Sequence, residues 1–268
     1  MFAIIKMVTK MKIDKITKQK NGKYKIIFNN KEQLITYDEV ILKNNLLQNK
    51  ELDYEKIHQI SLDNEYYNIY NKVLKYISIK MRSLKEINEY LKKFNIDDEE
   101  KLKIISKLKE IGLINDKVFV KSFINDRFNL SNDGPLLIKK ELLKHDIDSN
   151  IIDEFLKEIK EEDINNKLDR LINKKIKSNH KYSNYLLKQK ITKDLSNLGF
   201  DYNTVLNRVD FCLINDNDIL LHEFNKLYKK YSSKLNSPKL ELKVRQSLYQ
   251  KGFKIEQINK LLDEKNVQ

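Results

Sequence analysis

Four segments of this chain repeat one apolar pattern at intervals of about fifty residues, and that self-similarity limits the fold more than any single motif. The segments are 83–97, 134–148, 187–201 and 240–254. Apolar side chains coincide at Ile87, Ile138, Ile191 and Val244, and again at Leu91, Leu142, Leu195 and Leu248. They coincide a third time at Ile96, Ile147, Phe200 and Phe253, always with offsets of 51, 53 and 53 residues. The first two positions of each segment lie four apart, on one face of a helix. The third follows five residues later, where that helix ends and a staple residue enters the next.

The cap residues fit the same frame. Ser83 with Glu86 forms a capping-box pattern. Pro135 stands at a helix first-turn position. Gly199 and Gly252 stand where a left-handed residue closes a helix. A short periodic run follows each segment: Leu102-Ile105-Leu108, Ile152-Phe155-Ile159, Val205-Val209 and Ile258-Leu261. A longer one precedes each, at about 64–79, 116–129, 163–177 and 216–232. The phrase Leu-Ile-Asn-Asp recurs at 113–116 and 213–216, at the entry to a new repeat. The expected fold is therefore all-α: an elongated, curved body of tandem three-helix, helix-turn-helix-like units at 63–114, 115–162, 163–213 and 214–268.

Residues 11–62 read as a small β-rich extension. Strands are expected at 11–17, 24–28 and 33–37, with Asn21-Gly22 as a tight turn of two positive-φ residues and Asn29-Asn30 as a second turn. Asp38 caps a short helix expected to run through residue 47. So small a sheet must pack on the helical body. Residues 1–10 read as a frayed or additional terminus, with Met7 and Met11 as alternative starts.

Composition narrows the function. The 268 residues include five Gly, which argues against phosphate-binding turns of α/β folds. The single Cys, Cys212, excludes an intrachain disulfide and a multi-Cys metal site, and it reads as a packed core thiol. No stretch approaches the roughly 18–20 apolar residues of a spanning helix, so a cytoplasmic location away from membranes is expected. His58, His145, His180 and His222 are scattered, and no HExxH, GxSxG, Walker A or GxGxxG motif occurs. The acidic run 97–100 sits at a helix start, where carboxylates complement the dipole. Neither catalysis nor a cofactor is expected.

What remains is charge. Lys and Arg total 52 against 39 Asp and Glu, a formal net charge of +13, and only five of the 52 are Arg. AT-rich codons alone enrich Lys, Asn and Ile, but an excess of this size on a helical repeat favours a polyanionic partner. From Arg170 to Lys193 there are eight basic residues and no acid: Arg170, Lys174, Lys175, Lys177, Lys181, Lys188, Lys190 and Lys193, with Tyr182 and Tyr185 among them. A second acid-free run, 224–240, holds Lys226, Lys229, Lys230, Lys234 and Lys239, with Tyr228 and Tyr231. Lysines neutralise phosphates without reading sequence, and aromatic rings stack on unpaired bases. The same tyrosines also suit half-buried positions on a solvated helix face. Lys80, Arg82 and Lys85 surround the first capping box. The guanidinium forks of Arg82 and Arg127 suit either a bidentate anion contact or a helix-end salt bridge.

The stretch 76–91, with Tyr76, Arg82-Ser83, Glu86-Ile87 and Leu91, resembles the opening segment of the RecX family, bacterial regulators of the RecA recombinase. A second family hallmark is matched by 113–116, Phe119, Phe123 and Arg127, and a third by Gly134-Pro135 with Ile138 and Leu142. The N-terminal strands ending in 36–40 resemble the extension of low-GC Gram-positive members. Asn115 stands for an acid, Lys80 for Arg and Met81 for a frequent Pro. The resemblance spans about 11–268 and is most specific over 76–147. It implies a non-enzymatic protein, acting as a monomer, that binds RecA and RecA filaments on single-stranded DNA. Such a protein lies in the filament groove and suppresses strand exchange, ATP turnover and co-protease activity. By their charge, Lys139 and Lys140 join the basic positions above as expected RecA- or DNA-contact residues. Two rivals remain: a plain nucleic-acid-binding protein, and a scaffold with a lysine-rich coat.

Overall fold

The computed structural model describes residues 10–29, 31–213 and 215–266. Most of the expected 1–10 terminus, Asn30 of the second turn and Ile214 of the second Leu-Ile-Asn-Asp phrase lie outside the described residues. The chain divides into two compact units, 1–119 and 120–268.

The first unit opens with β1 (Met11–Lys18), β2 (Tyr24–Phe28), β3 (Gln33–Thr36) and a two-residue β4 (Glu51–Leu52). They form one antiparallel sheet in the order β3-β2-β1-β4. The β1–β2 turn is looser than expected. Only Gly22 takes positive φ (+82°), while the Asn21 side chain accepts the Lys23 N–H at 3.1 Å. Helix α1 (Asp38–Lys43) ends before residue 47, because the Asn44 amide turns inward to donate to Asp63 Oδ2 at 2.8 Å. The inner sheet face buries Ile13, Ile26 and Phe28 against Val40, Ile41 and Ile60.

Ile60 belongs to α2 (Tyr54–Ile79), which starts ten residues earlier than expected. Asp53 caps it by accepting the Lys56 N–H at 2.8 Å. Asp63 sits buried in mid-helix and accepts from Lys43 at 2.7 Å and from Asn44. Helices α3 (Leu84–Leu91) and α4 (Asp98–Glu110) complete a three-helix core with Val73, Ile87, Leu91, Ile104 and Leu108 at its centre. The Ser83–Glu86 capping box is present in both directions, and Asp97 caps α4 by accepting the Glu100 N–H at 2.7 Å.

Helices α5 (Asp116–Leu130), α6 (Pro135–Leu143) and α7 (Ser149–Leu156) come next. They are followed by α8 (Glu161–Lys177), α9 (Asn184–Asn197) and α10 (Tyr202–Cys212), then by α11 (Asn217–Ser232), α12 (Ser237–Tyr249) and α13 (Ile255–Asn266). The fold is thus all-α in its body, built of three-helix groups, with a small N-terminal sheet. All eight residues of the first two alignment columns are 1% exposed or less. Ile147, Phe200 and Phe253 of the third are buried, and Ile96 is half-buried. Two separate apolar cores form, one from α8–α10 and one from α11–α13.

One joint recurs within the second unit. The Gly134 N–H, at the N-terminus of α6, donates to the Leu198 carbonyl at 2.7 Å, and the Leu136 N–H donates to the Gly199 carbonyl at 2.9 Å. The Ser183 N–H, at the N-terminus of α9, donates to the Lys251 carbonyl at 2.9 Å, beside Gly252. At these two joints the middle helices α6 and α9 offer otherwise unpaired N-terminal donors to the last carbonyls of the next middle helix, and the opposed dipole ends attract. Gly199 and Gly252 take φ of +85° and +87° there, and Asp146 (φ +58°) holds the aligned position after α6.

Candidate functional site

The linear acid-free run maps onto the C-terminal half of α8, the loop 178–183 and α9. Arg170, Lys174 and Lys177 recur at helical spacing on α8 and are exposed. The fold brings acids to two other members from elsewhere in the chain. Lys175 Nζ lies 2.5 Å from Asp194, and Lys188 Nζ lies 2.6 Å from Asp210 on α10. Lys181 and Lys190 both stand over the Tyr182 ring, at 4.9 and 4.6 Å from its centroid. In the second run, Lys226 pairs with Glu223 at 3.4 Å, Lys230 lies over Tyr231 at 5.2 Å, and Lys229 is exposed.

The residues singled out in the earlier repeats are more tightly engaged. Arg82 packs on the Tyr76 ring at 3.8 Å and pairs with Glu86 at 3.1 Å, and Lys80 reaches the same carboxylate at 3.4 Å. Burial pushes the Glu86 carboxyl up, and the Ser83 N–H with Arg82 more than offsets this, leaving it below its ordinary range. Lys85 is half-buried in the first turn of α3. Arg127 lies 2.8 Å from Asp133, as an ion pair rather than an aligned hydrogen bond. Lys139 grips both oxygens of Asp153 at 2.6 and 2.7 Å, while Lys140 is exposed.

Other ionic contacts brace the scaffold. Arg208 on α10 donates twice to Asp169 on α8, at 2.8 and 2.7 Å, and holds that carboxyl below its usual range. Lys167 is buried and donates to the Phe128 and Asp133 carbonyls, tying α8 to the end of α5 and to the segment that follows it. Burial presses its ammonium down to about 8; Asp133 opposes this, and Arg170 adds a smaller push downward. Burial likewise pushes the half-buried Cys212 thiol up.

A basic cluster outside these runs was not singled out by the sequence reading. From Lys10 to Lys31 there are eight Lys and a single acid, Asp14. Lys15 pairs in register with Ile27, and Lys25 with Thr17 and Ile35, on the sheet face away from the buried core. The signal was the charge count itself, concealed by strand alternation. Among the described residues no group of three His, Cys, Asp or Glu is placed to hold a metal ion, and no helix is long and apolar enough to cross a membrane.

Comparison with known proteins gives a consistent answer. The second three-helix domain of RecX matches residues 115–156, and the third matches 215–262. The regulatory protein RecX of Oceanobacillus iheyensis is 31% identical over 265 residues, covering 94% of this chain and 97% of that one. That of Streptococcus agalactiae serotype Ia is 33% identical, covering 95% and 99%. A crystal structure of regulatory protein RecX superposes with a TM-score of 0.61 at 26% identity, covering 75% of this chain and 98% of the other. With the repeat frame, the three-helix groups and full-length relatives all in agreement, the chain belongs to the RecX family of regulatory proteins.

Proposed function

We propose that this protein is a non-enzymatic regulator of RecA. It binds RecA, and RecA filaments on single-stranded DNA, as a cytoplasmic monomer that lies in the filament groove. By occupying the groove it lowers strand exchange, ATP turnover and co-protease activity. The observation that carries the reading is family membership along the whole chain, combined with an exposed basic stripe at Arg170, Lys174 and Lys177.

We further propose that the four three-helix groups, at 63–114, 115–162, 163–213 and 214–268, act as successive contact modules behind the 11–62 extension. Linked weak contacts along a filament multiply through effective concentration. Lys174, Lys177, Lys140 and Lys229 are the exposed basic side chains best suited to phosphates or acidic protomer surfaces. Lys80, Arg82, Lys85, Arg127, Lys139, Lys175, Lys188 and Lys226 sit closer to internal partners. Their part in the interface is to shape it.

A plain nucleic-acid-binding role is the second reading, favoured by the same basic stripe. Affinity measured for RecA alone, for RecA on oligo(dT) and for naked oligo(dT) separates the two. The regulator reading requires the RecA-bearing filament to be preferred. Equal affinity for naked oligo(dT), with no binding to RecA alone, contradicts it.

A further inference from the structure

The loop between α8 and α9 lines an open pocket of about 410 Å³, a size that accommodates one nucleotide. The loop is built rather than loose. Asn179, 8% exposed, donates through Nδ2 to the Tyr182 carbonyl at 2.8 Å and accepts the Tyr182 N–H at 3.0 Å. It also accepts the Lys181 N–H at 3.4 Å. These bonds hold Tyr182 at the cavity wall, with the ammonium groups of Lys181 and Lys190 both within 5 Å of its ring centroid.

Two like charges gathered on one ring leave an unbalanced positive focus. The cavity's carboxylate, Asp194, is already engaged by Lys175. Two N-terminal donors of α9 are already engaged, the Asn184 N–H by Asp216 and the Leu186 N–H by Ser183. Recognition thus falls to side chains: two ammonium groups for a phosphate, and the tyrosine ring with Leu187 and Ile191 for a flat apolar body.

We infer that this cavity is a binding site for a nucleoside 5′-phosphate unit, the phosphate bridging Lys181 and Lys190 and the base lying against Tyr182. The unit comes either from a free nucleotide or from one residue of a single strand. The inference deepens the proposed function, since the site lies within the same basic run, and it specifies where a base is taken.

The test uses the full chain and 2-aminopurine, whose fluorescence is quenched on stacking, supplied as the 5′-monophosphate and within oligo(dT). Tyr182→Leu removes the stacking face and Lys190→Gln removes one phosphate contact at an exposed position that does not endanger folding. Lys260→Gln, at an exposed position on α13, is the control outside the cavity. Loss of quenching in Tyr182→Leu with affinity falling at least about fivefold there, the low end of one stacked base, together with weaker binding in Lys190→Gln and unchanged binding in Lys260→Gln, is the expected result. Quenching of the monophosphate identifies the free nucleotide as a ligand, and quenching only within oligo(dT) identifies the strand. Quenching absent in both forms, or present but indifferent to both cavity variants, overturns the site. Binding to RecA on oligo(dT), followed in parallel by anisotropy, keeps this outcome distinct from failure of the regulator reading.

Discussion

A Cβ placed on Gly134 would lie 2.5 Å from the Gly199 carbonyl oxygen, and one on Gly199 would lie 2.2 Å from the Leu137 nitrogen. No side chain fits at either residue, so the N-terminus of α6 and the C-terminus of α9 meet backbone to backbone. Gly252 repeats the arrangement one unit on, where an added Cβ would lie 2.5 Å from Ser183 Oγ. The repeat is therefore coupled through its middle helices as well as through apolar burial.

This joint predicts an asymmetry between glycines. Gly112 and Gly199 both take positive φ, but an added Cβ on Gly112 meets nothing within 4 Å. Gly112→Ala should cost only left-handed strain, roughly 1–2 kcal/mol. Gly199→Ala adds a backbone clash and should cost about 2–5 kcal/mol. Urea unfolding of both variants checks this, and equal costs would mean that the joint is not a rigid contact.

Burial of the aligned columns predicts the cost of truncation. Leu142→Ala and Leu195→Ala, both at fully buried sites, should each lose about 2–5 kcal/mol. Leu130, 84% exposed, should lose less than about 0.5 kcal/mol in Leu130→Ala. Denaturant midpoints that fail to separate the two classes would contradict the repeat register.

Lys167 predicts a pH dependence at the α5–α8 contact. Its ammonium is pressed down to about 8 in the fold, against about 10.4 for an unperturbed lysine. Between those values the unfolded chain holds more protons, so this group favours the folded state increasingly as pH rises. Relative to Lys167→Met, the wild type should gain stability from pH 7.5 to 9.5 in urea titrations. A constant difference, or one that shrinks, contradicts the assignment.

Charge on α8 predicts salt dependence. Replacing Lys174, Lys175 and Lys177 by Gln should weaken binding to DNA-bearing filaments and flatten the log–log salt slope by about 1–2, given roughly 0.7 per single-strand phosphate. The effect falls short of three full contacts because Lys175 is already held by Asp194. An unaltered slope removes this stripe from the interface.

The helical groups were legible because Ile87, Leu91 and their counterparts occupy the most buried positions of short amphipathic helices, where period and burial coincide. The start of α2 was not: the expected run begins at about 64, whereas the helix begins at Tyr54, capped by Asp53. Strand β4 escaped notice because two residues carry no period. The basic run at 170–193 was visible as a run, but its spatial neutralisation was not. Asp210 meets Lys188 from another helix, and Asp194 meets Lys175 across 19 residues of chain. The N-terminal lysines were overlooked because they alternate with the apolar residues that mark the strands.

The most direct measurement is ATP hydrolysis by RecA on single-stranded DNA, followed as this protein is added below the RecA concentration. The account predicts a graded fall in turnover, with strand exchange falling alongside it. Turnover that stays constant while the protein binds naked DNA tightly would contradict it.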